Sequence, residues 1–119
     1  MKKICLLFIL MSGFIIDAAA QAKKPVTVKI NTPGIKCEEC KKRVEDYLKY
    51  EEGITKVVAN YRSGYVNVTY FKDRTNPENI KTAIANVGYD ADDVTAEPDA
   101  YKRLPKNCKK PEDGGHQKN

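Results

Sequence analysis

Apolar and polar residues begin to alternate regularly at Val26. Val26, Val28 and Ile30 are separated by Thr27, Lys29 and Asn31. A period of two predicts a half-buried strand over residues 25–31, with the three apolar side chains facing a core. Thr32-Pro33-Gly34 breaks that strand. The period then lengthens to that of a helix over residues 38–50, where Val44, Tyr47 and Leu48 make an apolar stripe. Glu38 and Glu39 complement the positive end of this helix, and Gly53 is placed to cap its far end. Residues 54–61 read as a second strand and Arg62-Ser63-Gly64 as a hairpin turn. Residues 65–71 form a third strand, with Val66, Val68 and Tyr70 on one face and Asn67 and Thr69 on the other. Asn76-Pro77-Glu78 starts a second helix, because Asn caps, Pro suits the first helical position and Glu favours the dipole. Ile80, Ala83, Ile84 and Val87 form its buried stripe and Gly88 ends it. Residues 89–95, less apolar than the rest, predict a short last strand at an edge.

The order strand-helix-strand-strand-helix-strand belongs to the α+β class. It fits a split β-α-β, ferredoxin-like sandwich, with a four-stranded antiparallel sheet and two helices on one face. After residue 97 the pattern fades. Prolines at 98 and 105 leave room for one short helical turn, and residues 97–119 read as a flexible C-terminal extension. There is no internal repeat.

The first twenty residues change the picture of where the protein works. A basic start, Met1-Lys2-Lys3, precedes an apolar run over residues 4–16, and Ala18-Ala19-Ala20 fits an A-x-A cleavage signal. Residues 1–20 are thus expected to be a cleavable signal peptide whose apolar run is too short to span a bilayer. The product is expected to be exported, to the periplasm or beyond, without stable membrane insertion, and to begin at Gln21. Cys5 leaves with the leader. The formal net charge of the chain is +5, and the leader takes one unit of it. So small and dispersed an excess reads as a solvated surface, and export argues against a nucleic-acid partner.

Chemistry concentrates in Gly34-Ile35-Lys36-Cys37-Glu38-Glu39-Cys40. Cysteines three apart in a helical first turn share one face, so their sulfurs converge. Thiolate is both a soft metal ligand and a nucleophile. A helix N-terminus with Lys36, Lys41, Lys42 and Arg43 nearby is expected to ease thiol ionisation, against the opposing Glu38 and Glu39. By itself C-x-x-C serves metal binding, thiol-disulfide exchange, or a disulfide that staples a turn. Two thiolates select copper(I) or another thiophilic ion such as mercury(II), whereas zinc wants more ligands and calcium or magnesium want oxygen. The leader's departure leaves Cys37, Cys40 and Cys108, an odd number. Cys108 is open to three roles: third ligand, free thiol or mixed disulfide. His116 reads as a solvated residue of the extension.

From about residue 26 to 91 the chain resembles the heavy-metal-associated domain of copper chaperones, metal-pump N-terminal domains and periplasmic mercury-binding proteins. G-I-K-C-E-E-C stands at the family's G-M-x-C-x-x-C, and Gly88-Tyr89 at the G-Y pair after its second helix. The resemblance implies the ferredoxin-like fold, a domain over residues 25–96, and Cys37 and Cys40 as the metal ligands. It also implies that Tyr89 lies beside the metal loop, where its ring either shields the ion or caps the core. Ile35 replaces the family's methionine, which packs beneath the loop. The function implied is metallochaperone-like: scavenging or relaying copper(I), or mercury(II), to a metal-transporting or metal-accepting protein. A thiol-disulfide redox protein using the same pair is the alternative, although the C-G-P-C spacer and its tryptophan are missing. No enzyme is expected, since neither a nucleophile-base pairing nor a phosphate-cradling loop is present. On this reading Cys37 and Cys40 suffice for tight binding. Asn67-Val68-Thr69 matches a glycosylation triplet but lies within a strand and carries little weight.

Overall fold

Strands and helices follow in the predicted order as far as the second helix. The computed structural model describes residues 24–115; the expected leader, Cys5 and His116 lie outside the described residues. β1 is Val26–Asn31, α1 Glu38–Leu48, β2 Ile54–Asn60, β3 Tyr65–Tyr70 and α2 Pro77–Val87. β3 lies between β1 and β2 and is antiparallel to both. β1 and β2 therefore run parallel with a strand inserted between them, which is the split β-α-β arrangement.

The register explains the core. Ile30, Val66 and Ala59 stand in one row across the sheet, and Val28, Val68 and Val57 in the next. Side chains at every second position share a face, so these rows are apolar on one side. Val44 and Leu48 of α1 and Ile80 and Ile84 of α2 close over that face in a single buried cluster. Each such side chain stabilises the fold by about 1.5–3 kcal/mol on burial. The amide of Ala59 donates to Glu45 Oε2 at 3.1 Å, tying β2 to α1. Asn76 caps α2 as expected, its side chain accepting from the Asn79 amide at 2.8 Å.

Four expectations are corrected. The fourth strand over residues 89–95 is not formed among the described residues. Its segment makes one isolated bridge, Ala91 to Val94, and meets the edge of β1 at Asn31. There the Asp92 amide donates to Asn31 O at 2.9 Å and the Asn31 amide donates to Asp92 Oδ1 at 2.8 Å. Asp90, Asp92 and Asp93 are poor strand formers that favour turns; Asp92 takes φ 50°, and Asp90 accepts from the Ala96 amide. α1 ends at Leu48 with Lys49 in the C-cap position, so Gly53 lies in the turn before β2 and not at the helix end. Tyr47, placed on the apolar stripe, is 43% exposed.

The largest correction concerns the extension, which folds as far as Gly115. Pro98–Lys102 is a short helix, α3, capped by Glu97, which accepts from the amides of Asp99 and Ala100. Single 3-10 turns follow at Lys106–Cys108 and Pro111–Asp113. Ala100, Leu104 and Cys108 are buried. Ala100 of α3 and Leu104, just past its end, both seat on the end of α2 at Gly88, while the prolines lower the entropy lost on ordering. Among the described residues no helix is long and apolar enough to cross a membrane.

Gly88 is the point of contact. It caps α2 at φ 113°, and a Cβ there would lie 3.0 Å from both Ala100 O and Leu104 Cγ. Gly88→Ala is expected to lower stability by about 1–2 kcal/mol from backbone strain alone, and by more through displacement of α3. An unchanged urea midpoint is inconsistent with this seating. Because apolar side chains close the core, the reduced metal-free protein is expected to keep its full circular dichroism spectrum. A random-coil spectrum contradicts the architecture.

Candidate metal centre

β1 cannot continue through Pro33, which lacks an amide hydrogen, so the chain turns here. The Thr32 amide donates to Gly64 O at 2.8 Å, pinning the loop to the β2–β3 hairpin, and the Ile35 amide donates back to Thr32 O at 3.2 Å. The Ile35 side chain is buried in the core beneath the loop, the place implied for the family's methionine. Cys37 is then the extended N-cap of α1, and Cys40 lies in its first turn. Their Sγ atoms are 3.0 Å apart and unlinked. Cys40 is fully buried, whereas Cys37 is half-buried and reaches solvent. One sulfur is an anchor and the other an opening.

The third sulfur arrives from the C-terminal segment. Cys108, 3% exposed, closes the turn after Pro105, and the Sγ atoms of Cys37, Cys40 and Cys108 lie within 4.8 Å of one another. Tyr89 lies beside them, its ring against the loop: a Cβ on Gly34 would lie 3.4 Å from Tyr89 Cδ1. The Tyr89 hydroxyl is buried beside the sulfurs of Cys108 and Cys40, but meets the geometry of a hydrogen bond to neither. A cavity of about 370 Å³ separates the loop from the C-terminal segment, with Lys36, Tyr89, Tyr101, Cys108 and Lys110 among its walls. The structure thus brings Cys37, Cys40, Tyr89 and Cys108 into one cluster. Thr32 was missed by sequence reasoning: its buried Oγ1 also has no partner, and no sequence signal marks it.

Burial governs the thiols. The pKa of Cys37 rises above the ordinary 9.0, first through desolvation and then through its hydrogen bond with Cys40. Cys40 is raised too, again first by desolvation, then by the neighbouring Cys108. The expectation that the helix end and nearby lysines ease ionisation is therefore corrected. Taking a thiolate out of water outweighs partial charges and exposed lysines. Tyr89 is pushed up as well, by desolvation and then by the Cys108 and Cys40 sulfurs. At neutral pH Cys37 and Cys40 rest as neutral thiols, and a cation entering the cluster must displace their protons.

The sequence model of the heavy-metal-associated domain matches residues 29–90. The match includes Cys37, Cys40 and Tyr89 and stops short of Cys108. A copper-exporting P-type ATPase of Staphylococcus epidermidis is 30% identical over 69 residues, 58% of this chain, and the chain spans only 9% of that protein's length. A solved CopZ metallochaperone is 32% identical with a TM-score of 0.54, covering 56% of this chain and 98% of the chaperone. The mercury-bound form of MerP, a periplasmic protein of a bacterial mercury detoxification system, is 26% identical with a TM-score of 0.50. That likeness covers 57% of this chain and 94% of MerP.

Raised thiols bind protons more tightly in the folded protein than in the unfolded chain. The stability they confer is full below the unfolded thiol value and is lost as pH rises through the folded values. As pH rises above about 8.5, the value of an unfolded thiol, the reduced, metal-free protein is expected to lose stability more steeply than Cys40→Ser. Urea midpoints across that range test this, and parallel slopes count against burial as the dominant cause.

Proposed function

The chain belongs to the heavy-metal-associated domain family, and from that premise we propose an exported protein that scavenges or relays copper(I) through Cys37 and Cys40. Mercury(II) is the second ion. The observation that carries this reading is the sulfur pair 3.0 Å apart, one member buried and one half-buried. Buried Cys40 holds its place in the core wall while Cys37 remains within reach of an incoming thiol. An acceptor's thiolate can then form its bond to the ion as the bond to Cys37 breaks, so the ion is never free. Soft sulfur ligands favour copper(I) over hard cations, and the relatives named for copper export, for metallochaperone action and for mercury support a soft ion. The acceptor would be a metal-transporting or metal-accepting protein, and export rests on the leader pattern of residues 1–20.

Redox exchange is the weaker use of the same pair. An attacking thiol works best with a pKa near ambient pH, and burial moves both thiols upward.

Reduced protein is expected to bind one copper(I) per chain. Cys37→Ser and Cys40→Ser should each weaken binding by more than the roughly 10–100-fold that changes around a metal's ligands bring. Competition with a chromophoric copper(I) chelator under anaerobic conditions measures this. Undiminished affinity in either variant places the site elsewhere.

A further inference from the structure

We propose that Cys108 is a third sulfur ligand and that residues 98–113 form a strap closing over the ion, so that the protein retains copper(I) until the strap is displaced. The proposal rests on the reading of Cys37 and Cys40 as metal ligands. It extends the site beyond the segment matched to the family, which ends at residue 90.

The three sulfurs are close enough to meet one ion. Sulfurs bound at about 2.3 Å around one ion lie about 4.0 Å apart in a trigonal plane and about 4.6 Å apart in a linear pair. All three sulfurs already lie within 4.8 Å of one another, with Cys37 and Cys40 at 3.0 Å, so each is within side-chain reach of a shared trigonal ion. The strap is held on both sides of Cys108. Before it, Ala100 and Leu104 are buried against Gly88. After it, the Tyr101 hydroxyl accepts from the Lys110 amide at 2.9 Å and donates to Asp113, and Lys110 Nζ lies 3.8 Å from Asp90. A ligand positioned in this way loses little freedom when the ion binds.

Tyr89 supplies an independent pointer. Its hydroxyl is buried without a partner beside Cys40 and Cys108. A neutral thiol is a weak acceptor, whereas a thiolate accepts a strong, charge-assisted hydrogen bond. Ionised sulfur on a bound ion is the partner this hydroxyl lacks.

The chemistry balances. Three thiols release three protons to solvent as three copper–sulfur bonds form, leaving a net charge of −2 on the complex. The N-terminus of α1 and the basic residues Lys36 and Lys109 in the wall of the adjoining cavity offset part of it, against Asp90, which Lys110 pairs, and Glu112 in the same wall. Cys37 remains the sulfur an acceptor reaches first, and full release requires Cys108 to let go as well.

X-ray absorption at the copper edge tests the proposal on reduced protein, expressed from its full sequence and loaded with one equivalent of copper(I). Three sulfur neighbours are expected in the wild type and two in Cys108→Ser. Transfer to a chelator should be at least about tenfold faster in that variant. Circular dichroism, with Cys108→Ala as a second variant, checks that the fold survives, and the wild-type count depends on neither substitution. Two neighbours in the wild type, or an unchanged count and rate in Cys108→Ser, overturns the proposal. It leaves the paired-cysteine reading standing if Cys37→Ser and Cys40→Ser still lose tight binding. No copper(I) binding by the wild type overturns both.

Discussion

Cys40, Val44 and Leu48 lie on one buried face of α1, and the packing of that face on the sheet is the constraint on which the site depends. Spaced by four residues, these side chains seat the helix over the rows of Ile30, Val66 and Val68. The sulfur of Cys40 is therefore part of the core wall, and its position is set by the same contacts that hold the domain together. Cys37, one turn earlier, caps the helix and is free to face outward. A single helix seat thus separates an anchoring thiol from an accessible one.

Burial has an electrostatic consequence. Dry surroundings hold the Cys37 and Cys40 thiols and the Tyr89 phenol in their neutral forms, against the pull of the α1 N-terminus. A soft cation reverses that balance, because it supplies the positive charge that the metal-free cluster lacks. The helix end and the lysines then act on a complex that is already ionised. The fold provides a resting site of protonated sulfur and leaves ionisation to the ion itself.

Gly88 couples the two parts of the molecule. Its left-handed backbone ends α2, and its missing side chain is the space into which Ala100 and Leu104 pack. The next residue, Tyr89, lies under the metal loop. One short stretch therefore sets both the floor of the site and the seat of the segment that brings Cys108 over it. The helix macrodipole and the sheet would be much the same without that segment, but the cluster would be open on one side.

Most of the domain was legible in the sequence. Alternation at 26, 28 and 30 and at 66, 68 and 70, together with the helical spacing of 80, 84 and 87, is a local property, and local periods suffice to place strands and helices. The C-x-x-C spacing likewise settles that Cys37 and Cys40 meet, since three residues is nearly one helical turn. Sequence reading failed where the outcome depends on a surface that exists only after folding. Residues 89–95 were read as a strand, but the carboxylates at 90, 92 and 93 favour a turn that meets β1 at one residue. Residues 97–119 were read as a flexible extension, and the apolar positions of its described part, 100, 101, 104 and 108, are too few to make a core of their own. Set against the end of α2, the same positions complete an existing core. Tertiary structure alone therefore decided that Cys108 joins Cys37 and Cys40, because the path from residue 97 to 108 is fixed by what it packs on and not by any period within it.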